Sequence, residues 1–159
     1  MKTPYNSKIK FTNARLLAVQ ALYAHAVSDE SWDKVTSRFL LGEVGGELIL
    51  ETDKGEEYIT IEGADADLFA RIMKAAETNA DTIENAIRTS LSDSIQYDRL
   101  ELTMLCLLRS GMAEFFANPD LDTPIIINEY VDIARSFFDG PEAKIVNAIL
   151  DRFSKIIRG

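Results

Sequence analysis

The length, composition and charge of this chain already exclude several classes of protein. It has 159 residues, of which 47% are hydrophobic and 27% charged, as in an ordinary soluble globular domain. No run approaches the roughly 18 apolar residues that span a bilayer, and the N-terminus lacks the apolar stretch of a signal peptide. The single cysteine excludes an intrachain disulfide. We therefore expect one cytoplasmic domain over residues 1–159, without a membrane partner.

The net charge of −9 is unevenly distributed along the chain. Residues 1–28 hold four basic side chains and no acid, and residues 144–159 carry a net +3, which leaves −16 for residues 29–143. Such asymmetry indicates an acidic body with basic ends that can bind a polyanion, including a basic N-terminal arm over residues 1–13. Small charge clusters also arise by chance at solvated termini, and composition alone does not separate these two interpretations.

In chain order, the hydrophobic pattern first predicts two helices and a hairpin. The first helix is expected from about residue 13 to 27, with Asn13 as its N-cap, and a shorter one from 31 to 41. Residues 47–61 then contain two short apolar runs joined by T-D-K-G, which predicts a β-hairpin within an insertion at about 43–63. Because an isolated hairpin is only marginally stable, we expect it to lie on the helices.

The rest of the sequence predicts helices only. Residues 65–91 keep helical spacing with a break near Thr78, and the nearly all-apolar stretch 98–116 is expected to be the most buried helix. Thr123 as cap and Pro124 in the first turn open another helix, and a later Gly-Pro pair separates it from the last. The pattern is typical of an all-α fold with one hairpin attached.

The sequence offers no credible catalytic or metal site. One histidine and one cysteine are too few for most metal clusters, and no glycine-rich phosphate loop follows a strand. Cys106 lies in an apolar helical run, which would raise its pKa rather than activate it. Carboxylate pairs such as Asp65 and Asp67 fall in loops or at helix starts, where solvated acids are ordinary. We expect a non-enzymatic protein without cofactor or metal.

The first helix carries the strongest candidates for binding. Arg15 and Tyr23 lie eight residues apart, about two helical turns, and we expect them close to the same face. Arginine can clamp a phosphate, and an exposed tyrosine can stack on an unpaired base. Together with Lys8, Lys10 and Gln20 they would form a short track for a polyanion. The plainer alternative is a buried tyrosine and a surface arginine without a ligand.

The central and C-terminal helices carry a second set of polar residues. Glu129, Asp132 and Arg135 have the spacing of ion pairs along one helix face. Arg109 and Glu114 are expected to form a buried polar pair that fixes helix packing. These side chains are candidates either for contacts with a partner or for purely structural ties between helices.

Three stretches of sequence together resemble the NusB family of bacterial transcription antitermination factors. They are A-V-Q-A-L-Y at 18–23, L-R-S-G-M-A-E-F at 108–115, and the block from I-N-E-Y-V-D-I-A through V-N-A-I-L-D in the last third. The resemblance runs from about residue 14 to 158. It implies two packed three-helix bundles, here with the hairpin as an insertion.

The resemblance also implies a function and a set of site residues. A member of this family is expected to bind boxA-type single-stranded RNA of ribosomal RNA transcripts together with the ribosomal protein NusE, within the RNA polymerase antitermination complex. The RNA-binding candidates are Lys8, Lys10, Arg15, Gln20, Tyr23 and Lys144. The partner-binding candidates are Arg109, Glu114, Glu129 and Asp132.

One departure from the family bears on affinity. Many members carry an arginine-rich run just before A-R, where this chain reads K-I-K-F-T-N. Lysine binds phosphate without the bidentate geometry of arginine. We therefore expect this protein alone to bind RNA with modest, salt-sensitive affinity. Two alternatives stay open: a protein-interaction or homodimer module without strong RNA binding, and an RNA-binding module that acts with a ribosomal RNA methyltransferase.

Overall fold

The structure is a computed structural model, and it describes residues 4–42, 47–52, 55–60, 63–91 and 100–159. These residues form seven helices and two strands. The helices are α1 (Pro4–Val27), α2 (Trp32–Leu40), α3 (Ala66–Thr78), α4 (Ala80–Ser90), α5 (Leu102–Ala117), α6 (Thr123–Phe137) and α7 (Glu142–Arg158). The strands are β1 (Glu47–Thr52) and β2 (Gly55–Thr60).

The two strands occupy the range in which the sequence predicts a hairpin. They pair antiparallel, with Glu47 opposite Thr60 and Thr52 opposite Gly55. Residues 53–54, inside the predicted turn, lie outside the described residues, as do parts of both edges of the predicted insertion. That the hairpin lies on the helices stays a prediction.

Capping side chains set the starts of α2 and α3. The Ser31 hydroxyl accepts a hydrogen bond from the backbone N–H of Lys34 at 3.2 Å, and the Asp65 carboxylate accepts one from Leu68 at 2.8 Å. Each bond satisfies a backbone donor that has no partner within its helix. The predicted break near Thr78 is confirmed, because α3 ends there and α4 begins two residues later.

Two predicted helix starts are wrong. α1 begins at Pro4, so Asn13 is not its N-cap, and residues 4–13 continue the helix instead of forming a separate arm. Proline is favoured in a first turn, and the lysines that follow are good helix formers. At α6 the capping position is Asp122, one residue earlier than predicted, and Thr123 is already helical.

Helix α5 lies at the centre of the fold, as its apolar sequence predicts. It packs against α1, α3, α4, α6 and α7. α1, α2 and α3 also pack on one another, and α6 packs on α7, so α5 joins two groups of helices. A Cβ added at Gly111 would lie 3.0 Å from Leu150 Cδ1 and 3.4 Å from Tyr130 Cγ, which shows how closely α5 approaches α6 and α7. Within the described segments, no helix combines the length and apolarity needed to cross a membrane.

Candidate nucleic-acid interface

Helix α1 has a buried face and a solvent face. Ala14, Ala18 and Leu22 are buried where α1 packs on α2, α3 and α5. Tyr23 lies on the other side, with 43% of its surface exposed. An aromatic ring on the outside of a helix offers a flat surface to an unpaired base. Tyr23 is therefore accessible for the stacking that the sequence suggests.

Arg15 is buried, with only 4% of its surface exposed. Its Nε and Nη2 atoms donate to the two carboxylate oxygens of Glu114, both at 2.7 Å, and Nη1 lies 3.4 Å from Glu129 Oε2. The prediction that Arg15 and Tyr23 share a solvent face is wrong, because eight residues turn a helix about 80° beyond two full turns. The guanidinium fork is occupied by a carboxylate instead of being open to a phosphate.

The Glu114 carboxylate is the centre of a buried polar network. The Tyr130 hydroxyl donates to Glu114 Oε1 at 2.9 Å and lies 2.9 Å from the Ser110 hydroxyl. At the edge of the network, the Thr12 hydroxyl donates to Glu129 Oε2 at 3.1 Å. These bonds join α1, α5 and α6, so the network fixes the position of α1 against the central helix.

The charges in this network reinforce one another. Burial alone would lower the pKa of Arg15, but the hydrogen bond and the charge of Glu114 outweigh it and raise that pKa, so the guanidinium stays charged. Burial, followed by the charge of Glu114, raises the pKa of Tyr130 well above its ordinary value. The phenol therefore stays protonated and can donate to the carboxylate.

The predicted pairing of Arg109 with Glu114 is wrong. Arg109 and Glu114 are five residues apart on α5, and residues at that spacing do not face each other on a helix. Arg109 Nε donates instead to Glu84 Oε1 on α4 at 2.5 Å. Glu114 is fully buried, so the prediction that it contacts a partner protein is also wrong. The predicted pair of Asp132 and Arg135 is confirmed, at 3.3 Å on the exposed surface of α6.

The remaining RNA-binding candidates differ in their surroundings. Lys8 is exposed, whereas Lys10 places its Nζ 3.8 Å from the Asp65 carboxylate, which ties α1 to the start of α3. Gln20 is half-buried. Lys144 is exposed on α7, which packs mainly on α4, α5 and α6. The structure therefore keeps Lys8 and Lys10 near one end of α1 and Tyr23 near the other.

Part of the basic C-terminus is used within the fold. Arg158 Nη1 donates to the Leu121 carbonyl at 2.7 Å, and Nη2 donates to the Asn118 carbonyl at 3.1 Å. Lys155 pairs with Asp151 on the same helix at 3.0 Å. Arg158 therefore holds the connection between α5 and α6, and Lys155 is paired within α7. The net charge of the C-terminus overstates the number of cations that are available to RNA.

A groove beside the N-terminal half of α1 was not anticipated from the sequence. This α1–α6 groove has a volume of about 450 Å³. It is lined by Lys8, Phe11, Arg15, Leu68, Arg71, Asn118, Leu121, Ile125 and Glu129. Phe11 and Ile125 are exposed there. An aromatic residue within the lysine-bearing stretch K-I-K-F was the signal in the sequence that could have indicated it.

A second cavity, of about 440 Å³, lies at the other end of α1. The rings of His25 and Trp32 stack in its wall with centroids 3.9 Å apart, which fixes the turn from α1 to α2. Arg109 and Glu84 also line it. Burial and then the charge of Arg109 lower the pKa of His25, so the imidazole is neutral at physiological pH.

The sequence predicts no metal or nucleophile site, and two features of the described residues bear on that expectation. Across the described part of the chain, no three His, Cys, Asp or Glu side chains are grouped as a metal ion would require. Cys106 is buried in α5, and burial raises the pKa of its thiol to about 11. A protonated thiol is a poor nucleophile.

Known proteins match the chain over nearly its whole length. The model of the NusB family matches residues 12–155. The transcription antitermination protein NusB of Mesorhizobium japonicum is 38% identical over 150 residues, which cover 92% of this chain and 89% of that protein. The NusB of Rhodospirillum rubrum is 35% identical over 159 residues, with 95% and 86% covered.

Solved structures share the fold. The structure of NusB from T. maritima superposes with a TM-score of 0.69 at 23% identity, covering 98% of this chain and 93% of that one. A chain in the crystal structure of a plectonemic RNA supercoil superposes with a TM-score of 0.67 at 18% identity, covering 92% and 95%. At such identities the likeness establishes the helical architecture alone.

Proposed function

Because the chain belongs to the NusB family, we propose that it is a non-enzymatic RNA-binding factor of transcription antitermination. It binds boxA-type single-stranded RNA of ribosomal RNA transcripts together with the ribosomal protein NusE, and it acts in the cytoplasm within the RNA polymerase antitermination complex. The observation that carries the proposal is the match of the whole helical domain to proteins named for antitermination.

Exposed and half-buried polar side chains of α1 supply the RNA contacts in this proposal. Lys8 and Lys10 attract the phosphates, and Tyr23 stacks on a base, with Gln20 beside it. Lys144 adds a separate positive charge on α7. Arg15 contributes indirectly, because its ion pair with Glu114 holds α1 in place.

The partner protein docks on the acidic body of the chain. Asp132 is exposed there, while Glu129 and Arg109 are partly buried and already paired, so they contribute mainly at the edge of a contact. Residues 29–143 carry −16, which complements a basic ribosomal protein. Docking would neutralise the repulsion that this charge exerts on RNA within a Debye length of about 8–10 Å.

This arrangement predicts cooperative binding of RNA and partner. The partner should raise the RNA affinity roughly ten- to a hundredfold, a coupling of about 1–3 kcal/mol, and by linkage RNA should strengthen partner binding equally. The test is a titration of labelled boxA-type RNA with the protein at fixed salt, alone and with saturating NusE. An RNA with a scrambled boxA sequence serves as control.

Two outcomes would count against the proposal. Coincident curves with and without NusE would exclude cooperative adaptor function and favour a protein-interaction or homodimer module. Equal affinity for boxA-type and scrambled RNA would show that the protein binds phosphate without recognising this element.

A further inference from the structure

We propose that the α1–α6 groove is a nucleobase subsite, in which an unpaired base of single-stranded RNA stacks on Phe11 while its phosphates contact Lys8 and Arg71. The proposal rests on the proposed RNA-binding function and adds a second contact point to it. Phe11 and Tyr23 are twelve residues apart on α1, about 18 Å along the helix axis and about 120° around it. The two rings therefore receive different bases.

The size and apolar surface of the groove suit a base. Its volume of about 450 Å³ falls within the roughly 300–1,000 Å³ of pockets that hold small ligands. Phe11 is 37% exposed and Ile125 is 45% exposed, so both leave apolar surface open to solvent. A planar base would cover this surface, and base–aromatic stacking works with every base because each has a π-face.

The charges around the groove favour a polyanion over a basic peptide. Two cations, Lys8 and Arg71, line the groove with exposed side chains, and the acid that lines it is Glu129. That acid already faces Arg15 at 3.4 Å and accepts a hydrogen bond from Thr12. Lys8 is exposed beside Phe11 in the groove.

Arg71 is held in position to meet a phosphate. Its Nη1 donates to the Ala117 carbonyl at 2.7 Å, and its Nε donates to Asp67 at 2.9 Å. The side chain nevertheless remains 43% exposed. Because part of its conformational freedom is already lost in the folded protein, less is lost when it binds a phosphate.

Stacking in this groove would compensate for the missing arginines of the N-terminal stretch. Lysine contacts with phosphate weaken as salt rises, because binding releases counterions. A base on Phe11 adds affinity that does not depend on such release. The subsite therefore predicts a component of RNA affinity that the lysines cannot supply and that persists at higher salt.

The test compares variants of the full chain in titrations of fluorescent boxA-type RNA at several salt concentrations. Phe11→Ala should weaken binding roughly five- to a hundredfold without changing the slope of log affinity against log salt, and Phe11→Tyr should restore it. Lys8→Ala should instead reduce the magnitude of that slope by about 0.7. Leu40→Ala, at an exposed leucine of α2, is the matched control and should change neither quantity.

A direct readout guards against loss of folding in Phe11→Ala. Phe11→Leu keeps apolar volume in the groove but removes the π-face. In RNAs that carry the fluorescent base 2-aminopurine at successive positions, binding of the wild type should change the fluorescence at the position that stacks on Phe11. Phe11→Leu should remove the change at that position and leave the change at the position that stacks on Tyr23.

The possible failures are distinguishable. If the wild type binds RNA and Phe11→Ala binds equally well, the subsite is wrong and the proposed function stands. If the wild type binds no RNA with or without NusE, both proposals fail. If Phe11→Ala weakens only NusE binding, the groove is a protein-docking surface and the nucleobase proposal is overturned.

Discussion

Replacing Arg15 by methionine should destabilise the fold severely. The substitution removes both 2.7 Å hydrogen bonds to Glu114, whose side chain has no exposed surface. The carboxylate would keep only the Tyr130 hydroxyl at 2.9 Å and the Asn118 amide at 3.4 Å. Breaking a buried ion pair on one side typically costs about 3–5 kcal/mol. For a chain of this length, the Tm should fall by about 6–20 °C.

Urea denaturation followed by circular dichroism at neutral pH measures this loss. In the double variant Arg15→Met with Glu114→Leu the fully buried carboxylate is removed together with its cation, and Glu129 keeps the hydrogen bond from Thr12, so much of the lost stability should return. Lys155→Met is the control, because it breaks an exposed pair with Asp151 and should change stability by no more than about 1 kcal/mol. A loss as small as the control's, or a double variant as unstable as the sum of its single changes, would refute the reasoning.

Three further predictions concern other parts of the molecule. Tyr23→Ala should weaken RNA binding by about 1–3 kcal/mol, whereas Tyr23→Phe should not. Neither substitution should change the melting temperature much. A large drop in the melting temperature of Tyr23→Ala would instead show that Tyr23 has a packing role. The thiol of Cys106, with its pKa raised to about 11, should react with a thiol reagent at neutral pH only as the protein unfolds, and rapid labelling of the native protein would contradict its burial. The lowered pKa of His25 favours the neutral imidazole in the folded state, so stability should be level above about pH 6.5 and fall as the pH drops below it. His25→Phe should lessen that fall in urea titrations, and identical profiles would show that His25 does not contribute to it.

The helical framework was largely predictable because apolar periodicity is a local signal. The nearly continuous apolar stretch of α5 identified the central helix, and the polar residues around Thr78 located the break between α3 and α4. The start of α1 was not predictable from capping alone. Asn13 has the chemistry of an N-cap, but Pro4 and the helix-compatible residues after it extend the helix past that position.

The role of Arg15 could not be read from its own neighbourhood. Its partner, Glu114, is 99 residues away, and only the packing of α1 on α5 brings the two together. A single acid in the apolar sequence of α5 does signal that a cation must be buried beside it. From the sequence, Arg109 is the expected cation partner of Glu114. In the structure Arg15 forms that pair, and Arg109 pairs with Glu84. The α1–α6 groove could not be predicted for the same reason. Its lining residues, such as Lys8 and Arg71, are far apart in the sequence and come together only in the folded protein.

Terminator read-through in a reconstituted transcription reaction tests the proposed function most directly. The template carries a boxA element upstream of a terminator, and the reaction contains RNA polymerase and the remaining antitermination factors, with this protein added or omitted. The account predicts that the wild type raises read-through, that Tyr23→Ala raises it less, and that mutation of boxA abolishes the effect. Read-through that is unchanged by the wild-type protein would contradict the account.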